Sequence, residues 1–425
     1  MDIFRRIWKI TTLRNGILFV LGMLVIFRAV AHIPVPGVDL EALRGFLTGN
    51  EILGLLNVFS GGTLANFSLV MLGVAPYITA SIIFQLLVMV VPQLEELQKE
   101  GESGQQKINM YTRIASVPLA VLQAFALLRL LGSQASQTGG SIIGDVNTLQ
   151  WVAMITAVTA GTVFLMWIGE LITEKHIGNG ISMLIFAGIV AALPTTLQNV
   201  AVNYSSAELP TYILFLIITV ITIVGVVYIT EGQRNIPITY ARQIRGRAAA
   251  GTKNHLPLRL NMAGVIPIIF AISVVLFPPM IAQFFVGNPG VGGSIARAVV
   301  AFFNNQVYYG IMYFVLVFGF TYFYTAVVFR PEKMAENLQR QGAFIANVRP
   351  GKQTEEYLAK VMNRLLFSGA LFLSAIAVLP LLLQAYTGSQ ALALGGTTLL
   401  IVVSVAIDIA KQVEAQLTMN QYDRV

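Results

Sequence analysis

The chain has 425 residues, 56% of them hydrophobic and only 11% charged, where a soluble protein carries roughly a quarter charged residues. Apolar runs recur from end to end, which excludes a soluble globular domain with one anchor and describes a polytopic membrane protein. The absence of cysteine removes disulfides and thiolate chemistry, and the net charge of +7 matters less by its size than by its placement.

At the N-terminus Arg5, Arg6, Lys9 and Arg14 precede the first apolar run, as in a signal peptide's basic region. The run ends in HIPVPG with no small-residue cleavage site, so an uncleaved span is expected over 17–34. Residues 57–91 then read in two unlike halves. NVFSGGTLANFS is short, with Gly61-Gly62 at its middle and polar residues scattered through it. LVMLGVAPYITASIIFQLLVMVV is uncharged and long enough to cross a bilayer. The pair predicts a movable stopper joined to a pore-lining helix; the plain alternative is an ordinary loop before an ordinary span. With 17–34 and 69–91, further spans over 114–131, 151–172, 181–200, 211–230, 263–285, 308–329, 366–384 and 396–417 make ten. Such long uninterrupted runs mean helices, because barrel strands are short and alternate.

Lys and Arg orient the spans. With the N-terminus inside, every Lys and Arg lies in the inner connections and tails except Arg28, within span 1, and Arg44, Arg129 and Arg297 outside. Both termini are therefore expected in the cytoplasm. Residues 1–200 and 201–425 each hold five spans, and an odd number per half makes the halves run in opposite directions. Two inner connections, at about 231–260 and 330–365, are too long for turns. The first is strongly basic, and its IPITYARQI alternates like a hairpin strand. The second carries a VRPG turn with Arg349 at its tip. Basic loops of this kind hold topology or touch anionic lipid; their length and arginine bias also suit docking ribosomal RNA or an acidic protein surface.

Catalytic chemistry is missing. There is no GxxxxGK[ST] loop, nucleophile elbow, paired carboxylates or HExxH, and His32, His176 and His255 lie far apart, so neither an enzyme nor a metal or cofactor site is expected. Besides Arg28, Glu170, Asp408 and Lys411 lie near inner span ends, where they reach water. A proton-coupled transporter needs a carboxylate near the midplane, and none is placed there. What recurs instead is branched aliphatics: Val74 and Ile78, and Ile181 and Ile185, share helix faces at i, i+4 spacing. Ordinary packing explains such pairs, but in a channel they would form an apolar constriction that excludes water and ions.

Seven strings then carry a resemblance over essentially the whole chain. They are FSGG at 59–62, GVAPYITASIIFQLL at 73–87, KEGESG at 99–104, FLMWIGELITEKHIGNGISMLIFAGIVAALP at 164–194, HLPLRLNMAGVIPIIF at 255–270, GAFIANVRPGKQT at 342–354 and GGTTLLIVVSVAID at 395–408. In this order they resemble the SecY family, the central subunits of bacterial protein-conducting channels. The resemblance implies an all-α polytopic membrane protein, with ten transmembrane helices in two inverted five-helix halves around an hourglass pore. A plug at about 57–67 would include Asn57, Phe59, Ser60, Gly61, Gly62, Thr63, Leu64 and Phe67. The pore ring would comprise Val74, Ile78, Ile181, Ile185, Ile269 and Ile401. Spans 2 and 3 would part from spans 7 and 8 as a lateral gate. Arg349 would meet a SecA motor ATPase, Arg242, Arg245 and Arg247 a motor or ribosome, and Tyr422 would lie at the cytosolic face.

The implied function is translocation of secretory polypeptides across the bacterial cytoplasmic (inner) membrane, with lateral release of transmembrane segments. The implied partners are SecE- and SecG-type small subunits, SecA, the ribosome, signal peptides, nascent chains and anionic lipids. Three departures stand out: Val at a ring position that is often Ile, Gln105 and Gln106 where relatives often carry basic residues, and a short tail at NQYDRV. The alternative reading is an inverted-repeat secondary transporter, which shares ten spans but needs ionisable or polar groups at mid-depth; a membrane scaffold without a conduit would pass nothing.

Overall fold

The computed structural model describes residues 8–49, 57, 60–138, 146–202, 209–240, 254–262, 264–283, 285–287, 289–387 and 390–422. In chain order its helices are α1 (Thr11–Val30), α2 (Leu40–Gly49), α3 (Ala75–Val90), α4 (Pro92–Lys99), α5 (Glu102–Thr138), α6 (Thr148–Thr173), α7 (Gly180–Val202) and α8 (Leu209–Glu231). The strands β1 (Gln233–Tyr240) and β2 (Asn254–Arg259) follow, then α9 (Ile266–Gln283), α10 (Val291–Asn304), α11 (Gln306–Val328) and α12 (Pro331–Arg340). Strand β3 (Ala343–Ile345) and the long helices α13 (Lys352–Thr387) and α14 (Gln390–Tyr422) complete the chain.

Each of the ten expected spans overlaps one helix: α1, α3, α5 to α9, α11, α13 or α14. Among the described residues five helical stretches are apolar and long enough to cross a membrane on their own, and α3 with α4 makes a sixth, bent by 98° at Val91. The bend has a local cause. Val91 precedes Pro92, whose ring disfavours helical geometry at the residue before it, and Val91 is extended at φ −100°, ψ 111°.

The start of span 2 also moves. Residues 69–74 are turns, and α3 begins only at Ala75, with Pro76 in its first turn where a missing N–H costs nothing. Gly73, at φ 57°, supplies the left-handed step that precedes it. Hydropathy sees an uncharged run there and cannot see the corner. Conversely, α5 starts at Glu102 and α13 at Lys352, well before the apolar parts of spans 3 and 9, because their charged lead-ins continue as helix.

The one β-sheet among the described residues has the order β2-β1-β3. β1 runs antiparallel to β2, pairing Gln233 with Arg259 through Ile238 with Asn254, and antiparallel to β3, pairing Ile238 with Ile345. The expected strand in IPITY thus forms, and its second partner comes from the other long connection; residues 241–244 lie outside the described residues. Pro237, which donates no hydrogen bond, falls where β1 has only β2 beside it. A small apolar core of Ile236, Leu258, Leu338, Ile345, Leu358 and Met362 ties the sheet to α12 and α13.

Candidate functional site

The segment before α3 is a compact knot of turns, described at Asn57 and from Ser60 onward. Phe59 lies outside the described residues. The Asn57 carbonyl accepts from Gly62 N at 2.7 Å and from Ser60 Oγ at 2.9 Å, and its side-chain Oδ1 accepts from Ala65 N at 2.8 Å. Thr63 Oγ1 lies 2.9 Å from Ser60 O and 3.0 Å from Val70 O, either of which takes its proton. Thr63, Leu64 and Phe67 are wholly buried. An isolated bridge between Pro34 and Ser68 joins the segment to the chain after α1: Val35 N donates to Phe67 O at 2.8 Å and Leu69 N to Ile33 O at 3.1 Å.

Gly61 is where the segment docks. Its φ of 75° suits glycine, and its Cα abuts Gly188 of α7 so closely that a Cβ on either residue would come within 2.6 Å of the other's Cα. Small residues let backbones in a membrane approach in this way. The Gly61 carbonyl accepts from Arg28 Nη1 at 2.9 Å. Gly61, at the middle of the expected movable stopper, is therefore also a contact surface, and Arg28 and Gly188 are residues the sequence reading did not assign. Arg28 was visible as an isolated charge in an apolar span, but its partner is a backbone carbonyl, which leaves no mark in sequence.

Beside the docked segment lies a narrow cavity of about 40 Å³, room for a few waters at most. Ser60 lines it together with Val74 and Ile78 at the start of α3, Ile185 of α7 and Ile269 of α9. Val74 is the N-cap residue of α3, and its carbonyl accepts from Ile78 N at 3.1 Å, which holds the two side chains on one face. Polar atoms enter from Thr79, Gln123 and Ser273, and among the described residues no ionisable side chain lines the cavity. Four of the six expected ring residues are thus brought together. Ile181 is directed elsewhere: its Cδ1 fills the space a side chain on Gly169 of α6 would need. Ile401, fully buried on α14, belongs to the same apolar core without lining the cavity.

Along the expected gate line the helices are in contact. Helix α9 packs against both α3 and α5, and α11 packs on α9. On one side of this line, Gln123 of α5 lies 3.5 Å from Thr79 of α3. At the α4 end of this line Arg330, the N-cap residue of α12, donates to Gln98 of α4. Nearby, Lys99 bonds Glu95 at 2.7 Å and holds its carboxyl below the usual range, with a smaller contribution from Arg330.

Of the expected docking residues, Arg349 is exposed on the turn between β3 and α13. That turn is firmly built: Val348 N donates to Ile345 O at 3.1 Å, and Arg349 O accepts from Thr354 Oγ1 at 2.9 Å. Arg242, Arg245 and Arg247 lie outside the described residues, and Tyr422 ends α14 with its side chain likewise outside them.

A bundle of apolar helices around a narrow apolar cavity, with a turn segment of the same chain lying beside it, defines the class of polytopic helical membrane proteins. The family model SecY matches residues 68–410. The chain is 42% identical to the protein translocase subunit SecY of Corynebacterium glutamicum, covering 98% of each. It is also 42% identical to that of Halalkalibacterium halodurans, covering 98% of this chain and 97% of that one. The chain belongs to the SecY family. In fold it is similar to a solved protein-conducting channel, with a TM-score of 0.65 at 18% identity over 93% of this chain and 91% of that one. A structure of a SecY protein solved for its plug domain follows, with a TM-score of 0.62 at 19% identity and the same coverage.

Proposed function

We propose that this chain is the gated pore subunit of a protein translocase. Secretory polypeptides cross through the constriction lined by Val74, Ile78, Ile185 and Ile269, and apolar segments leave sideways where α9 meets α3 and α5. The observation that carries this reading is that a residue of the plug segment, Ser60, and ring residues from three helices line one cavity. Aliphatic walls exclude water and ions when closed, and their side chains yield to a larger object. Residues 57–67 act as the plug, and the parting of two inverted halves, 1–200 and 201–425, opens the gate. The chain is multi-pass in the bacterial inner membrane with both termini cytoplasmic, as its Lys and Arg distribution supports.

It supplies no hydrolysis of its own, so the driving force comes from a motor ATPase of the SecA type or from the ribosome, with SecE- and SecG-type subunits alongside. A structural relative at 18% identity is Sec61 in a canine ribosome-channel complex, which supports the ribosome as one such partner. Anionic lipids, signal peptides and nascent chains complete the partner set.

Vesicles reconstituted with this chain, its small subunits and the motor test the reading. A secretory precursor should become protease-protected in the presence of ATP; persistent protease sensitivity would remove the proposed function. In the same assay Arg349→Glu should lower motor-driven import at least tenfold with the helical fold unchanged by circular dichroism. The exposed, well-anchored position of Arg349 makes it a contact for a partner and not a folding determinant, so normal import by this variant would remove its docking role.

A further inference from the structure

We infer that Arg28 is the positioning residue of the plug: its guanidinium holds Gly61 in the closed channel through a main-chain hydrogen bond. The inference rests on the reading of 57–67 as a plug and adds what keeps it seated.

A cation inside a spanning helix is costly and is retained where it has a partner. Arg28 occupies the last turn of α1, where the helix carbonyls favour positive charge. Its own carbonyl accepts from His32 Nδ1 at 2.7 Å, which ties down the helix end. From there Nη1 reaches the Gly61 carbonyl at 2.9 Å, a charge-assisted bond in a half-buried setting. The slot that receives Gly61 is shaped on two further sides. Gly188 stands against its Cα, and Phe27 Cζ lies 3.6 Å from where a Cβ would be. The guanidinium therefore bonds backbone at a glycine, where the plug has no side chain to interpose. Arg44 also reaches the plug, at Asn66 Oδ1, but at 3.2 Å and in the open, where such a contact contributes little. Unseating the plug takes the Gly61 carbonyl away from Arg28, so the bond biases the channel toward closed.

The test uses purified full-length protein in planar bilayers, carrying Arg28→Gln, Arg28→Lys, or Arg297→Gln, a control arginine that bonds Val286 O. Each is made alone and in a protein lacking Thr63–Asn66. Arg28→Gln should raise ion leak about tenfold to hundredfold, Arg28→Lys should restore much of the seal, and Arg297→Gln should leave it unchanged. In the plug-deleted protein, already leaky, Arg28→Gln should add nothing. A tight Arg28→Gln channel, or an equal increment without the plug, would overturn the inference. Should the plug deletion itself stay silent, the plug reading fails and this inference with it.

A second readout separates position from folding. The chain has no cysteine, so Ala65→Cys is a single label at a half-buried position of the plug. Arg28→Gln should speed its reaction with a membrane-impermeant maleimide several-fold, with Arg28→Lys in between; an unchanged rate would count against the latch.

Discussion

Replacing Ile78, Ile185 and Ile269 together with serine is expected to turn a silent channel into an ion-conducting one in planar bilayers. These side chains converge from α3, α7 and α9 on the cavity that Ser60 also lines, and each is less than a tenth exposed. Truncating a buried isoleucine costs about 2–5 kcal/mol in packing, and the hydroxyl brought in its place stabilises water where an aliphatic wall excludes it. Conductance should rise well beyond that of any single substitution, since removing one side chain leaves two walls able to close. Serine at Ile181 is the informative comparison. Its side chain packs on Gly169 and not into the cavity, so it should lower thermal stability while leaving the bilayer silent.

Gly188→Ala is expected to open the channel without touching the plug or the ring in sequence. The new Cβ would lie 2.6 Å from the Gly61 Cα, well inside contact distance, and the position of both atoms is fixed by backbone, which no rotamer change can move. Overpacking of this kind costs about 1–3 kcal/mol. Set against the seated plug alone, that corresponds to roughly 5- to 150-fold in the ratio of seated to unseated channels. Gly22→Ala on α1, where an added methyl meets nothing within 4 Å, should leave conductance unchanged. Equal silence from both variants would mean the Gly61–Gly188 contact is not what seats the plug.

Much of the fold was legible because the bilayer restricts the chain so severely. Backbone in lipid must bond to itself, so each long apolar run had to be helix, and each of the ten runs overlaps one. What hydropathy measures is transfer, not direction. It could not show the corner at Gly73, the right-angled turn before Pro92, or the charged lead-ins through which α5 and α13 continue. The sheet escaped for a different reason: β1 finds its second partner β3 across α9 to α12, a pairing that no local alternation announces. At the site, the i, i+4 spacing correctly grouped Val74 with Ile78. It grouped Ile181 with Ile185 equally well, and there a socket left by Gly169 decided that only Ile185 faces the cavity. The convergence of Ile269 with these residues came from family resemblance, as did the role of the segment before α3. Gly188 gave no signal at all, since a glycine in an apolar span looks the same whether or not a second backbone rests on it.

A polypeptide in transit is expected to pass through the constriction formed by Ile78, Ile185 and Ile269. Photo-crosslinking from those three positions to a precursor arrested in transit tests it most directly. Adducts should form from all three and be absent from Leu165, which is as deeply buried on α6 but does not line the cavity. A precursor that is protease-protected yet crosslinks to none of the three, or to Leu165 equally, would contradict the claim.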